Sequence, residues 1–124
     1  MNKTGGKPLH GKELVTKIRG SLEEALAEQI TVLDLRQLPG AADWFVICQC
    51  DSTVHTHACA GRVLDDLAEL GTRSWQREGF EDGRWILLDY SDVVVHVMIP
   101  ELRAYYRLEE LWDASVARIE KKEE

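Results

Sequence analysis

Residues 83–100 contain two apolar runs that are separated by a short polar turn. Residues 83–90 and 93–100 are rich in β-branched and aromatic side chains, and they flank the dipeptide Ser91-Asp92. This pattern predicts a β-hairpin. Both runs are too apolar for a hairpin with one face in water, so we expect this hairpin to lie in the centre of a sheet.

Alternation of side chains along a strand gives this hairpin two different faces. One face is aliphatic except for a tyrosine and comprises Ile86, Leu88, Tyr90, Val93, Val95 and Val97. The opposite face, which we call the mixed face, comprises Trp85, Leu87, Asp89, Val94, His96 and Met98. We expect the aliphatic face to pack beneath helices. The mixed face is the candidate functional surface.

The rest of the chain predicts the element order α, β, β, α, β, β, β, α. Hydrophobic periodicity predicts helices over 12–28 and 53–70, strands over 30–35, 44–50 and 72–78, and a last helix that begins at Pro100. We therefore predict an α/β fold: a single domain with a mixed five-stranded sheet and helices packed on one face. Residues 1–10 are predicted to be a disordered lead, 11–113 the folded domain and 114–124 a charged tail.

Charge and hydropathy argue against two classes of partner. The formal charge is −7, from 22 acidic and 15 basic residues, so phosphates would repel the chain. No apolar run approaches the roughly 20 residues that cross a bilayer, and residues 1–6 lack the apolar segment of a secretory signal. We predict a cytoplasmic protein that makes no direct sequence-specific contact with nucleic acid and does not bind membranes.

Five soft metal ligands lie close together in the sequence. They are Cys48, Cys50, His55, His57 and Cys59. The first two share one face of a strand, and His55 and Cys59 share one face of a helix. The spacing matches no zinc motif with a known mechanism, and cysteine is common in protein cores. We predict no metal and no cofactor, and metal binding by these residues is the open alternative.

Enzymatic motifs are weak in this sequence. The chain has no Gly-x-Ser-x-Gly elbow, and the link 51–53 between strand and helix lacks the glycines and lysine of a phosphate-binding loop. Asp89 and Asp92 suit a divalent cation, but they flank a turn in which aspartate is common. A nucleotidyltransferase-like or metal-dependent enzyme that uses Asp89, Asp92 and His96 is therefore the alternative to a non-catalytic binding protein.

Several blocks of the sequence closely resemble the ribosomal silencing factor family, also called Iojap-like. They run in order between Leu14 and Trp112 and comprise 33–36, 42–47, 78–79, 85–90, 92–97, Tyr106 and 108–112. The resemblance implies a mixed α/β fold that is related to nucleotidyltransferases. It also implies no enzymatic activity, and the nucleotidyltransferase signature of a Gly-Ser pair followed by spaced acids is absent from this sequence.

The resemblance further implies a function and a partner. Members of the family bind large-subunit ribosomal protein L-fourteen, block the small subunit from joining and slow translation when nutrients are scarce. The partner-binding residues that it implies here are Trp85, Leu88, Asp89, Tyr90, His96, Met98, Arg103, Tyr105 and Tyr106. Alternation disagrees about Leu88 and Tyr90, which it places on the aliphatic face. A large-subunit assembly factor is a further alternative, and the choice between a monomer and a homodimer stays open.

Overall fold

The computed structural model describes residues 7–40 and 42–107, which form a five-stranded mixed sheet with three helices. The elements are α1 (Gly11–Glu24), β1 (Glu28–Asp34), β2 (Trp44–Gln49), α2 (Thr53–Glu69), β3 (Gln76–Glu78), β4 (Trp85–Asp89), β5 (Val93–Met98) and α3 (Pro100–Tyr106). The strand order is β1-β2-β5-β4-β3. Strands β2 and β5 are parallel, and the other neighbouring pairs are antiparallel. The predicted fold class and element order are confirmed.

The hairpin of β4 and β5 lies inside the sheet, because β5 also pairs with β2 and β4 also pairs with β3. The cross-strand partners on the mixed face are Trp85 with Met98, Leu87 with His96, and Asp89 with Val94. At the turn, Ser91 has a φ of 78°, and its N–H donates to Oδ1 of Asp89 at 2.8 Å. Asp89 therefore supports the turn, as its position in the sequence suggested.

Helices α1 and α2 cover the aliphatic face of the sheet and form the main core with it. Leu14, Ile18 and Leu22 of α1 are fully buried, at the spacing of one helical face. The side chains of α2 that complete this core are Cys59, Ala60, Val63 and Leu67. Burial of one large aliphatic side chain contributes about 1.5–3 kcal/mol, so this two-layer contact is the main source of stability.

The structure differs from the predicted boundaries at three places. Helix α1 ends at Glu24 because the chain turns at Leu26, which has a φ of 68°. Strand β3 has only three residues, and it lies at the edge of the sheet. All three are exposed, and Trp75, which precedes them, is 74% exposed. Leu9, in the predicted lead, packs against the core and donates its N–H to Oγ1 of Thr72 at 2.7 Å.

Helix α3 begins at Pro100, as predicted, and Pro100 occupies its first turn. Leu102 packs with a second apolar cluster on the mixed side of the sheet. The buried and half-buried members of this cluster are Leu33, Leu35, Leu38, Phe45, Ile47, Trp85, Met98 and Leu102. Residues 1–6, 41 and 108–124, and the side chains of Tyr105 and Tyr106, lie outside the described part of the chain. No helix in the described ranges has both the length and the apolarity to cross a membrane.

Candidate functional site

The mixed face extends from the hairpin onto β2, because β2 pairs with β5 in parallel. Phe45 is opposite Val94 and Ile47 is opposite His96, so the aromatic ring of Phe45 joins this surface. Trp85, Leu87, Asp89, Val94 and Phe45 are half-buried, whereas His96 and Met98 are buried beneath them. In the described part of the chain this surface is therefore partly open, and its exposed atoms are mainly aromatic and aliphatic.

A hydrogen bond fixes the centre of the mixed face. The indole Nε1–H of Trp85 donates to Nδ1 of His96 at 3.1 Å. Because an indole N–H can only donate, Nδ1 is the accepting nitrogen, and the proton of the neutral imidazole lies on Nε2. The Phe45 ring packs on the same imidazole, with ring centroids 4.6 Å apart. The buried Nε2 atom has no hydrogen-bond partner among the residues that the structure describes.

His96 is uncharged at neutral pH in the folded protein. Burial lowers the pKa of His96 to about 4, because few polar groups are available to solvate an imidazolium there. The neutral ring keeps the acceptor that orients Trp85. The imidazole at the centre of the mixed face thus carries no positive charge at neutral pH.

Acidification should destabilise the protein through His96. The unfolded state binds this proton with an ordinary pKa, so the stability that neutral His96 provides is present above that pKa and is lost as the pH falls towards 4. Between pH 7 and pH 5 we expect a loss of about 2 kcal/mol from this group. Urea unfolding at the two pH values measures it.

The His96→Gln variant separates this effect from the titration of carboxylates. Glutamine supplies an uncharged acceptor for the Trp85 indole and does not titrate in this range. The variant should therefore show a smaller loss of stability between pH 7 and pH 5 than the parent protein. Equal losses in the two proteins would show that His96 is not the responsible group.

The carboxylates of the enzymatic alternative do not converge with His96. Oδ2 of Asp92 accepts the backbone N–H of Gly11, at the start of α1, at 2.7 Å. Asp89 bonds Ser91 in the turn, and His96 bonds Trp85. In residues 7–40 and 42–107, these three side chains do not form one of the groups that lie close enough to share a metal ion. In the described ranges, the structure does not bring the three side chains of this alternative to one site.

A cysteine pair lies on the other side of the sheet, beneath α2. Sγ of Cys50 is 3.3 Å from Sγ of Cys59. The hydrogen bond with Cys48, together with burial, raises the pKa of Cys50 to about 12. The hydrogen bond with Cys50, together with burial, also raises the pKa of Cys59. Both groups are protonated thiols at neutral pH, and protonated thiols are poor nucleophiles.

Comparison with known proteins identifies the family. A family model described as "Ribosomal silencing factor during starvation" matches residues 8–124. The chain belongs to the ribosomal silencing factor family. It is 35% identical over 113 residues to the ribosomal silencing factor RsfS of Bacillus subtilis. The aligned residues cover 90% of this chain and 96% of that protein.

A solved structure and a more distant relative are also similar to this chain. A crystal structure of a Chromobacterium violaceum protein superposes with a TM-score of 0.81 at 34% identity, covering 85% of this chain and 88% of that chain. A Mus musculus protein named "Mitochondrial assembly of ribosomal large subunit protein 1" is 33% identical over 94 residues, which are 73% of this chain and 41% of that protein. The relation to nucleotidyltransferases stays a prediction.

The structure separates the residues that the family resemblance implied into four groups, of which the last, Leu88 and Tyr90, lies in the main core. Trp85 and Asp89 are half-buried on the mixed face, and His96 and Met98 lie beneath it. Arg103 is buried at the side of the sheet, where its guanidinium donates to the Gln29 carbonyl at 2.6 Å. The side chains of Tyr105 and Tyr106 lie outside the described part of the chain.

Leu88 and Tyr90 require a correction. Leu88 is fully buried and Tyr90 is 6% exposed, and both belong to the core beneath α1 and α2. Neither side chain lies on the mixed face. The alternation of side chains had placed these two residues on the aliphatic face.

Sequence reasoning missed two contributors to the candidate surface. Leu87 was placed on the mixed face but was not included among the partner-binding residues, although it is half-buried at the centre of that face. Phe45 was left out because no local pattern shows that β2 is adjacent to β5. The alternation of Phe45 with buried Val46 was the one signal available for its orientation.

Proposed function

We propose that this chain is a translational repressor that binds the large ribosomal subunit in the cytoplasm through ribosomal protein L-fourteen. In this proposal its bulk blocks the small subunit from joining, which slows translation under nutrient limitation. No covalent chemistry is required. One observation carries the proposal: a chain that belongs to the silencing factor family has a partly open aromatic surface around Trp85.

The composition of the mixed face supports a role in protein binding. Trp85, Phe45 and Leu87 provide aromatic and aliphatic area that is half-buried before any partner arrives. Aromatic side chains dominate the energetics of protein interfaces, because they bury a large area with few rotatable bonds. A contiguous surface of this kind is typical of interaction sites on soluble proteins.

The charge of the chain supports a protein contact on the ribosome more than an RNA contact. The formal charge of −7 repels the phosphate backbone and attracts basic protein surfaces. Asp89 lies on the same face as Trp85 and supplies one negative charge to this surface. Long-range attraction of this type mainly raises the association rate and weakens as salt is added.

Subunit joining tests the proposed function directly. Isolated large and small subunits are mixed after incubation of the large subunit with an excess of the protein, and light scattering reports the joined fraction. We expect the joined fraction to fall as the protein approaches saturation of the large subunit. An unchanged joined fraction at saturation, with binding verified by co-sedimentation, would refute the blocking mechanism.

Assembly of the large subunit is the second candidate function, and the name of the mouse relative favours it. The two functions predict different particles. A repressor binds mature large subunits, whereas an assembly factor binds precursors, and its loss causes precursors to accumulate. Sucrose-gradient profiles of cells with and without the protein distinguish these outcomes, since only the second produces an excess of immature particles.

A further inference from the structure

Cys50, His55 and Cys59 form a compact group of soft metal ligands, which we call the cysteine–histidine cluster. One ligand atom from each residue lies within 4.8 Å of the other two. Both cysteines are fully buried, and His55 is half-buried.

Two separate elements build this cluster. Cys50 follows β2 directly and is held there by its backbone N–H, which donates to the Met98 carbonyl at 2.9 Å. The Ser52 side chain caps α2 by accepting the backbone N–H of His55. His55 and Cys59 are four residues apart on α2, so they lie on the same face of the helix. The ligands are therefore fixed by secondary structure.

The backbone carbonyl of Ala25, at the end of α1, completes the surroundings of the cluster. Its oxygen is 2.9 Å from Nε2 of His55 and 3.5 Å from Sγ of Cys59. In the absence of a cation, this oxygen and the thiol–thiol hydrogen bond satisfy the polar atoms of the cluster. The carbonyl oxygen is also a suitable donor for a cation, and it lies beside two of the three ligand atoms of the cluster.

The distances suit tetrahedral zinc. Zinc bonds to sulfur at about 2.3 Å, so two thiolates of one tetrahedral site are about 3.8 Å apart. Sγ of Cys50 and Sγ of Cys59 are 3.3 Å apart, which requires only a small side-chain adjustment to admit the ion. We propose that Cys50, His55 and Cys59 bind Zn²⁺, with the Ala25 carbonyl oxygen or a water molecule as the fourth ligand.

The binding step conserves charge and atoms. The thiols of Cys50 and Cys59 lose their protons to solvent, and the two thiolates and the neutral imidazole of His55 each donate an electron pair to Zn²⁺. The thiol–thiol hydrogen bond is lost in exchange. The site carries no net charge when it is loaded, which suits its buried position.

The other two soft ligands of this region serve different roles. The imidazole of His57 bonds the backbone carbonyls of Thr53 and Phe80, on the side of α2 that faces the turn before β4. Cys48 is fully buried in the main core and is not part of the cluster. His57 therefore provides a control that carries the same imidazole group outside the proposed site.

Zinc would link the end of β2 to the start of α2. The cluster lies on the helix-covered side of the sheet, opposite the mixed face, so this inference does not depend on the proposed ribosomal function. The bound cation would stabilise the folded chain by mass action, because the unfolded chain does not hold the three ligands together.

Zinc titration of the full chain tests the proposal. The protein is reduced, freed of metal with a chelator, and titrated with Zn²⁺ in competition with a chromophoric chelator. We expect one Zn²⁺ per chain and the release of two protons. Co²⁺ should give the intense charge-transfer absorption of thiolate ligands. The His55→Ala and Cys59→Ser variants should each bind at least about a hundredfold more weakly.

The His57→Ala variant should retain the parent affinity, and circular dichroism confirms that each variant is folded. If Cys59→Ser does not fold, the His55→Ala variant alone tests the proposal. His55 is only half-buried in the first turn of α2, so its truncation disturbs the core less. The proposal is overturned if the reduced protein takes up no Zn²⁺. It is equally overturned if the His55→Ala protein binds as tightly as the parent, or if His57→Ala loses binding instead.

Discussion

The Trp85→Ala variant is expected to bind the large ribosomal subunit about a hundredfold more weakly than the parent protein. That ratio corresponds to a loss of about 3 kcal/mol, which is the scale of an interfacial hot spot. The truncation removes the largest partly open side chain of the mixed face. It also removes the donor that bonds His96, so a buried acceptor loses its partner. Co-sedimentation with purified large subunits over a range of protein concentrations measures the affinity.

The Trp75→Ala variant is the matched control for this experiment. Trp75 is 74% exposed and lies before β3 at the edge of the sheet, where its only bond to the mixed-face residues that the structure shows is a backbone one, from its N–H to the Asp89 carbonyl, which alanine keeps. Its removal should leave the affinity within about twofold of the parent value, since exposed residues outside an interface contribute little. Urea unfolding checks that both variants are folded. If Trp75→Ala weakens binding and Trp85→Ala does not, the mixed face is not the ribosome-binding surface.

The faces of the central hairpin could be predicted because they depend on local pattern alone. An alternating run with a turn dipeptide fixes which side chains share a face, whatever else the chain does. The distinction between Leu88 in the core and Leu87 on the mixed face follows from this period of two. The start of α3 at Pro100 is local in the same sense, since proline has no N–H to donate.

The remaining features depend on contacts between distant segments. The position of Phe45 on the mixed face requires that β2 pair with β5, and that choice is made by the packing of α1 and α2 across the whole sheet. The cysteine–histidine cluster likewise needs the end of β2, the start of α2 and the Ala25 carbonyl at one point. Sequence spacing described only the two pairs of ligands that lie on single elements. It did not show that the two elements bring Cys50 and Cys59 together.

The Gly79→Ala variant is expected to lose about 3 kcal/mol of unfolding free energy, through strain and overlap combined. Gly79 has a φ of 72°, a conformation that disfavours any side chain. A Cβ atom at this position would overlap the backbone carbonyl oxygen of Trp85. Backbone cannot rotate away as a side chain can, so the turn before β4 must shift. Urea denaturation with a fixed m-value measures the change.

The Gly20→Ala variant is expected to be more stable than the parent protein. Gly20 lies inside α1, and a Cβ atom there would contact nothing within 4 Å. Alanine should stabilise the helix by about 0.5–1 kcal/mol, because glycine is the more flexible residue in the unfolded chain. A Gly79→Ala protein as stable as the parent would contradict the close approach of Gly79 to Trp85 that the structure shows.

The Gly79 substitution also connects stability to the candidate surface. The displaced carbonyl belongs to Trp85, at the first residue of β4, so a shift there moves the indole relative to His96. At a temperature at which Gly79→Ala is still folded, its affinity for the large subunit should therefore fall, whereas that of Gly20→Ala should not. The other possible result is that the affinity of every variant follows its stability, whichever site is changed. In that case the fraction of folded protein determines ribosome binding, and the orientation of Trp85 has no separate role.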